Sequence, residues 1–229
     1  MISIVAKETP MGLYTSRHPI ARLELVSRPF MAFVRFYCRL RVEGLEHIPT
    51  SGAFILAVNH SSHADTAVIF AALARPMRKR VVAAAAQDYF FDKGFRQFVS
   101  RVLFNTVPVP RTAFGSSDPL RHVVRALREG YGVLMFPEGT RSQNGQLGPF
   151  RGGIGRLAAE FPTVPIIPVW LDGTARVLPK NASFPRPVRV RARFGPPAQH
   201  TPAQLDDKAS WRVAATQVRE AVIRLRPNQ

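Results

Sequence analysis

Short apolar runs at residues 53–58 and 131–136, each opening after a glycine, set the frame of the chain. Both are too short for a helix, and they read as buried strands. Residues 66–74 are Ala-rich and long enough for a helix, and 79–85 read as the next strand after the Arg75-Pro76 break. Residues 93–103 fit a helix with Phe95, Phe98, Val99 and Val102 on one face. The stretch 104–111 is extended, and Pro108 and Pro110 place it at a sheet edge or at a strand end running into a loop. Asp118 is expected to cap a helix over 119–128, closed by Gly130. A helix over 151–160, strands at 164–171 and 188–194, and an amphipathic helix over 202–225 complete the pattern. Strands alternating with helices predict an α/β fold, a layered and mostly parallel sheet flanked by helices.

Residues 1–16 show no periodicity, and 17–41 differ from the rest in kind. There Phe30, Met31, Phe33, Val34, Phe36 and Tyr37 form broad apolar faces, interrupted at near-helical spacing by Arg17, Arg22, Arg28, Arg35, Arg39 and Arg41. Pro29 is expected to divide this segment into two helices or to kink it. Arg and Phe interleaved, with Glu24 the one acid, suit an interfacial helix on anionic lipid. The same face would equally suit docking on a domain core. The division expected is a leader and membrane-associating amphipathic segment at 1–41, followed by an α/β domain at 42–229.

Chemistry gathers where the apolar runs end. After the first comes Asn59-His60-Ser61-Ser62-His63-Ala64-Asp65. His60 thus lies at a strand's carboxyl end, where ligands bind in open α/β sheets. Asp65 falls near the start of the following helix, where a carboxylate accepts backbone N–H bonds and matches the helix dipole. An Asp anchored there and reaching back to the ring would fix one imidazole tautomer and build a general base. The residues alone also admit a structural His beside a helix-start Asp. A third reading is a metal site on His60, His63 and Asp65, although no further His/Cys cluster completes a shell. The second run leads into Pro137-Glu138-Gly139-Thr140-Arg141-Ser142. Arg141 there offers a planar fork of donors suited to phosphate or carboxylate, with Arg111 as a second contact. Glu138 could fix Arg141 or bind a substrate hydroxyl. Their bland alternative is a local ion pair shaping the turn.

Composition narrows the partners. The chain has 229 residues, room for one sizeable domain. Its 32 Lys+Arg against 15 Asp+Glu give a net charge of +17, which implies an anionic partner: nucleic acid, an acidic membrane surface or phosphorylated substrates. The cations form no dense cluster and no nucleic-acid module, so a non-catalytic nucleic-acid or anionic-surface binder is the distant alternative. One cysteine, Cys38, excludes an internal disulfide framework and suits a reducing compartment. It has no base nearby in sequence and reads as packing. No secretory signal and no spanning helix are expected.

Taken together, N-H-x4-D at 59–65 and F-P-E-G-T-R-S at 136–142 resemble the glycerolipid acyltransferases, the 1-acylglycerol-3-phosphate acyltransferases among them. Residues 104–111 and 164–169 fit that family's other two blocks, in the right order. The resemblance implies an O-acyltransferase of phospholipid synthesis, moving a fatty acyl group from acyl-CoA or acyl carrier protein to lysophosphatidate. His60 would be the base and Asp65 would orient it. Arg111, Glu138, Gly139 and Arg141 would form the acceptor's phosphate–glycerol site, and 164–169 would support the donor side. No metal, no cofactor beyond the acyl-donor substrate and no covalent enzyme intermediate are expected, and no G-x-S-x-G elbow is present. The partners implied are an anionic membrane surface, the acyl donor and a lysophospholipid acceptor, with the protein peripheral or monotopic on the cytoplasmic face of the membrane. Two departures, Pro108 and Pro110 in the third block and Arg151 where many relatives carry Lys, touch the acceptor side. They leave another lysolipid, including an amino-acid lysolipid, as the alternative acceptor.

Overall fold

In the computed structural model, which describes residues 20–86, 104, 106–109, 118–142, 146–177 and 185–227, one sheet takes up every strand. Its strands are β1 (Arg41–Glu43), β2 (Phe54–Val58), β3 (Val81–Ala86), β4 (Thr106–Val109), β5 (Gly132–Met135), β6 (Ile166–Asp172) and β7 (Arg191–Phe194). They lie in the order β1-β7-β6-β2-β5-β3-β4. All neighbours are parallel except β6 and β7. The α/β layered, mostly parallel sheet expected from the sequence is the fold observed.

Helices cover both faces, and this is why β2 is apolar throughout: all five of its residues are buried. Phe54, Leu56 and Val58 face one layer with α1 (Ile20–Tyr37) and α2 (Asp65–Ala72). Ile55 and Ala57 face the other, with α3 (Arg121–Arg128), α4 (Gly152–Glu160) and α5 (Lys208–Arg224). The two-residue period of a strand sends alternate side chains into separate cores. β4 is an edge strand, the position where its Pro108 is tolerated. Because β7 reverses against β6 and β1 runs with β7, Arg41 and Arg191 pair beside Asp172, at the edge where β2 and β6 end.

Several boundaries differ from the sequence expectation, each for a local reason. Pro29 does not divide α1, which runs through it as one helix. The lost hydrogen bond there is offset by packing, since Met31, Val34 and Cys38 recur on the face buried against α2. Burial pushes the Cys38 thiol up, as expected of a packed side chain. The opposite face of α1 is open, with Phe33 and Phe36 53% and 84% exposed among exposed arginines. Among the described residues no helix is long and apolar enough to cross a membrane. The last helix starts at Lys208, because the Asp207 carboxylate accepts from Ala209 and Ser210 N–H and so caps it there. Asp118 instead precedes α3 by a turn, accepting from Leu120 N–H, and receives the Arg156 fork at 2.6 and 2.5 Å. That guanidinium holds the Asp118 carboxyl below the usual carboxylate range and ties α3 to α4. The helix expected over 93–103 lies outside the described residues.

Helices α4 and α5 approach each other closely at Gly155. A Cβ on Gly155 would lie 1.9 Å from the Trp211 carbonyl oxygen. Alanine ordinarily favours a helix over glycine by about 1 kcal/mol. Here the obstacle is backbone, so overpacking should outweigh propensity. Gly155→Ala is expected to destabilise by about 1–3 kcal/mol, seen as a Tm lowered by several degrees. A Tm at or above that of the wild type would mean that the two helices can separate without cost.

Candidate active site

The turn after β2 is built from main-chain bonds before any side chain faces solvent. Asn59, buried, donates its amide to the Leu171 carbonyl at 3.0 Å and accepts from Leu171 N–H at 2.6 Å. A side-chain amide thus imitates one more rung between β2 and β6, and His60 leaves the sheet from a fixed point. Asp65, the first residue of α2, is fully buried. Its Oδ2 accepts from Ser61 N–H at 2.7 Å and Ser62 N–H at 2.9 Å and meets His60 Nδ1 at 2.8 Å. The donors are those of the preceding loop, not of the helix. Asp65 therefore folds the loop back over itself while reaching the ring. Ser61 Oγ meets Thr174 Oγ1 at 2.9 Å and fixes the loop's other side.

β5 supplies the opposite wall. It runs parallel to β2 with Ala57 opposite Met135, so Phe136 emerges beside His60. The two rings stack, with centroids 4.1 Å apart and planes at 18°. Glu138 does not pair with Arg141. It is 6% exposed, and it spends both oxygens on main chain: Oε1 accepts from His60 N–H at 2.8 Å and Oε2 from Gly148 N–H at 2.9 Å. Ser142 N–H donates to the His60 carbonyl at 2.8 Å. Gly139 takes φ +70°, and a Cβ there would meet the Arg151 guanidine at 2.6 Å, so glycine is needed twice over. Arg151 donates its Nε to the Glu138 carbonyl at 3.1 Å. The terminal nitrogens of Arg151, and the whole Arg141 guanidinium, make no hydrogen bond or ion pair among the described residues.

The structure thus brings His60, Asp65, Glu138 and Gly139 together, with Arg141 three residues beyond Glu138 on the same loop. Arg111 lies outside the described residues. Among the described residues no three His, Cys, Asp or Glu side chains are placed to hold a metal ion. Because the Asp65 carboxylate only accepts, the proton between them belongs on His60 Nδ1, and in the neutral imidazole Nε2 then carries the lone pair. The ring is 21% exposed, and its Nε2 has no partner among the described residues. The arrangement can take a proton from a hydroxyl group brought to that nitrogen. The sequence expectation had no role for Gly148, Ser142 or the Asn59 amide. Their contacts join residues up to 112 apart in the chain, and no local periodicity signals them.

Residues 39–172 match the protein-family model described as Acyltransferase. The chain is 32% identical over 149 residues to the chloroplastic 1-acyl-sn-glycerol-3-phosphate acyltransferase BAT2 of Brassica napus, covering 62% of this chain and 39% of that protein. It is 28% identical over 170 residues to the 1-acyl-sn-glycerol-3-phosphate acyltransferase alpha of Mus musculus, covering 74% and 58%. The chain thus spans between two fifths and three fifths of the length of these relatives. The crystal structure of the 1-acyl-sn-glycerophosphate acyltransferase PlsC from Thermotoga maritima has the same fold, with a TM-score of 0.63 and 24% identity over 94% of this chain and 87% of that one.

The Asn59 amide is testable without any substrate. In Asn59→Asp the shape is kept, but an acceptor replaces the donor that faces the Leu171 carbonyl. The expected cost is about 1–3 kcal/mol, read as a lower denaturation midpoint with an unchanged slope. Unchanged stability would show that the amide does not join the strands.

Proposed function

The chain belongs to the acyltransferase family, and on that premise we propose that it moves a fatty acyl group from acyl-CoA, or acyl carrier protein, to the free hydroxyl of 1-acylglycerol-3-phosphate. The observation that carries the reading is the bond of 2.8 Å between Asp65 Oδ2 and His60 Nδ1, which leaves Nε2 able to accept a proton. His60 Nε2 takes the hydroxyl proton as the acceptor oxygen attacks the thioester carbonyl. The tetrahedral intermediate then collapses, and the departing thiolate recovers the proton from the imidazolium. Asp65 holds the tautomer and stabilises that imidazolium. The names of the relatives supply the acceptor, and Arg141 with Arg111 and the Gly139 turn supply cations and close main-chain approach for its phosphate. The motif strand at 164–169 stands on the donor side.

The outer face of α1 fits a peripheral protein on an anionic bilayer, at the cytoplasmic face where the thioester donors are. Phe33 and Phe36 would enter the interface, with Arg28, Arg35 and Arg39 against lipid phosphates.

Two outcomes are expected. His60→Ala should lower lysophosphatidate-dependent thiol release from palmitoyl-CoA by roughly 10²–10⁴-fold in a protein that remains folded, with Asp65→Asn also impaired. Substantial residual turnover in His60→Ala would remove the base. A rate that requires a different lysolipid would keep the chemistry and move the substrate. Replacing Phe33 and Phe36 together by Ser should release the protein from sedimenting anionic liposomes while leaving it folded. Undiminished sedimentation would place the lipid contact elsewhere.

A further inference from the structure

We propose that Glu138 is a positioning residue for His60 and makes no contact with the acceptor. This rests on the acyl-transfer reading for its kinetic consequences, though not for its geometry. The sequence motif alone places Glu138 among acceptor ligands, and three observations argue otherwise. Its carboxylate is nearly buried, and each oxygen already holds a main-chain N–H, that of His60 at 2.8 Å and that of Gly148 at 2.9 Å. A Cβ on Gly148 would come within 3.2 Å of Oε2, so the second donor approaches closely because that residue is a glycine. The charge points the wrong way for a ligand of a phosphate ester. A carboxylate turned outward would repel the phosphate, whereas one turned inward leaves Arg141 and the terminal nitrogens of Arg151 as the outward charges of this loop.

What Glu138 holds is the main chain of His60 itself. The N–H of His60 is taken by Glu138 and its carbonyl by Ser142, both from the loop after β5. Phe136, at the head of the same loop, stacks on the ring. Asp65 fixes which nitrogen carries the proton, and the β5 loop fixes where the other nitrogen stands. Displacing a catalytic group by about 1 Å is enough to cost on the order of 10²-fold in rate. The carboxylate also bridges the His60 turn to Gly148, four residues before α4, so one side chain locks both ends of the β5–α4 connection to a turn 78 residues away.

The test is Glu138→Gln in the full chain. Glutamine keeps the shape but offers one acceptor oxygen, and its amide group faces the other N–H. With palmitoyl-CoA and lysophosphatidate, kcat is expected to fall roughly 10- to 100-fold while the acceptor KM stays within about twofold. Hydrogen–deuterium exchange should accelerate in peptides covering 57–62 and 146–150 and stay at the wild-type rate in 166–171. A raised acceptor KM with kcat maintained would overturn the proposal and make the carboxylate an acceptor ligand. Faster exchange through 166–171 as well would overturn it in favour of a general structural role. If the wild type acylates no lysolipid from either donor, the functional reading fails separately. The exchange data then decide alone: acceleration confined to the two loops supports the clamp, and no acceleration at 57–62 removes it.

Discussion

Where β2 ends, its parallel neighbour β5 ends beside it and β6 runs on to Asp172, and the turn that carries His60 comes out between them. Everything in the site follows from that confinement. On the β6 side Asn59 adds a rung to Leu171, and on the β5 side the main-chain N–H and carbonyl of His60 are both bonded. A histidine on an ordinary surface loop samples rotamers freely. This one is stacked on Phe136 and bonded at Nδ1, so one nitrogen is left for chemistry. The pre-organisation comes from strand register, with Ala57 opposite Met135 and Val58 opposite Val169.

Two buried carboxylates stand within this turn of a chain of net charge +17. Burying an ion is costly unless strong donors replace its water. Asp65 Oδ2 and both Glu138 oxygens meet that cost mainly with main-chain N–H groups rather than with arginines. The choice matters for what faces solvent. Had either acid paired with Arg141 or Arg151, the cations would be neutralised within the loop. Since main-chain dipoles carry the burden, the guanidinium charge remains available at the open side.

Much of this was legible in the sequence for identifiable reasons. The 53–58 run announces a strand covered on both faces because no polar residue interrupts it, and His60 and Asp65 lie near enough in sequence for their pairing to be expected. The position of β4 at an edge follows from Pro108. Other features escaped because their causes are distant or compete. The motif offers Glu138 a bond to Arg141 or to a substrate hydroxyl, and its bonds to the His60 and Gly148 N–H groups are not among them, since these residues cannot be seen as neighbours before the sheet is formed. The last helix was expected to begin near Pro202, a good first residue, but Asp207 supplies the stronger cap. Pro29 reads as a break, yet side chains on the buried face of α1 hold the helix across it.

The reversal of β7 against β6 has a geometric consequence for how a lipid would arrive. Running antiparallel to β2, β1 starts at the edge where β2 finishes, so the end of α1 and the Arg41–Arg191 pair share that edge with the His60 turn. A helix lying along a bilayer by its Phe33 and Phe36 face would then hold the mouth of the turn close to the lipid headgroups. A single-chain lipid could meet the imidazole by sliding within its leaflet, with its tail still in hydrocarbon. On the proposed reading, encounter would become a search in two dimensions, and the energy of extracting the chain into water would not be part of the barrier.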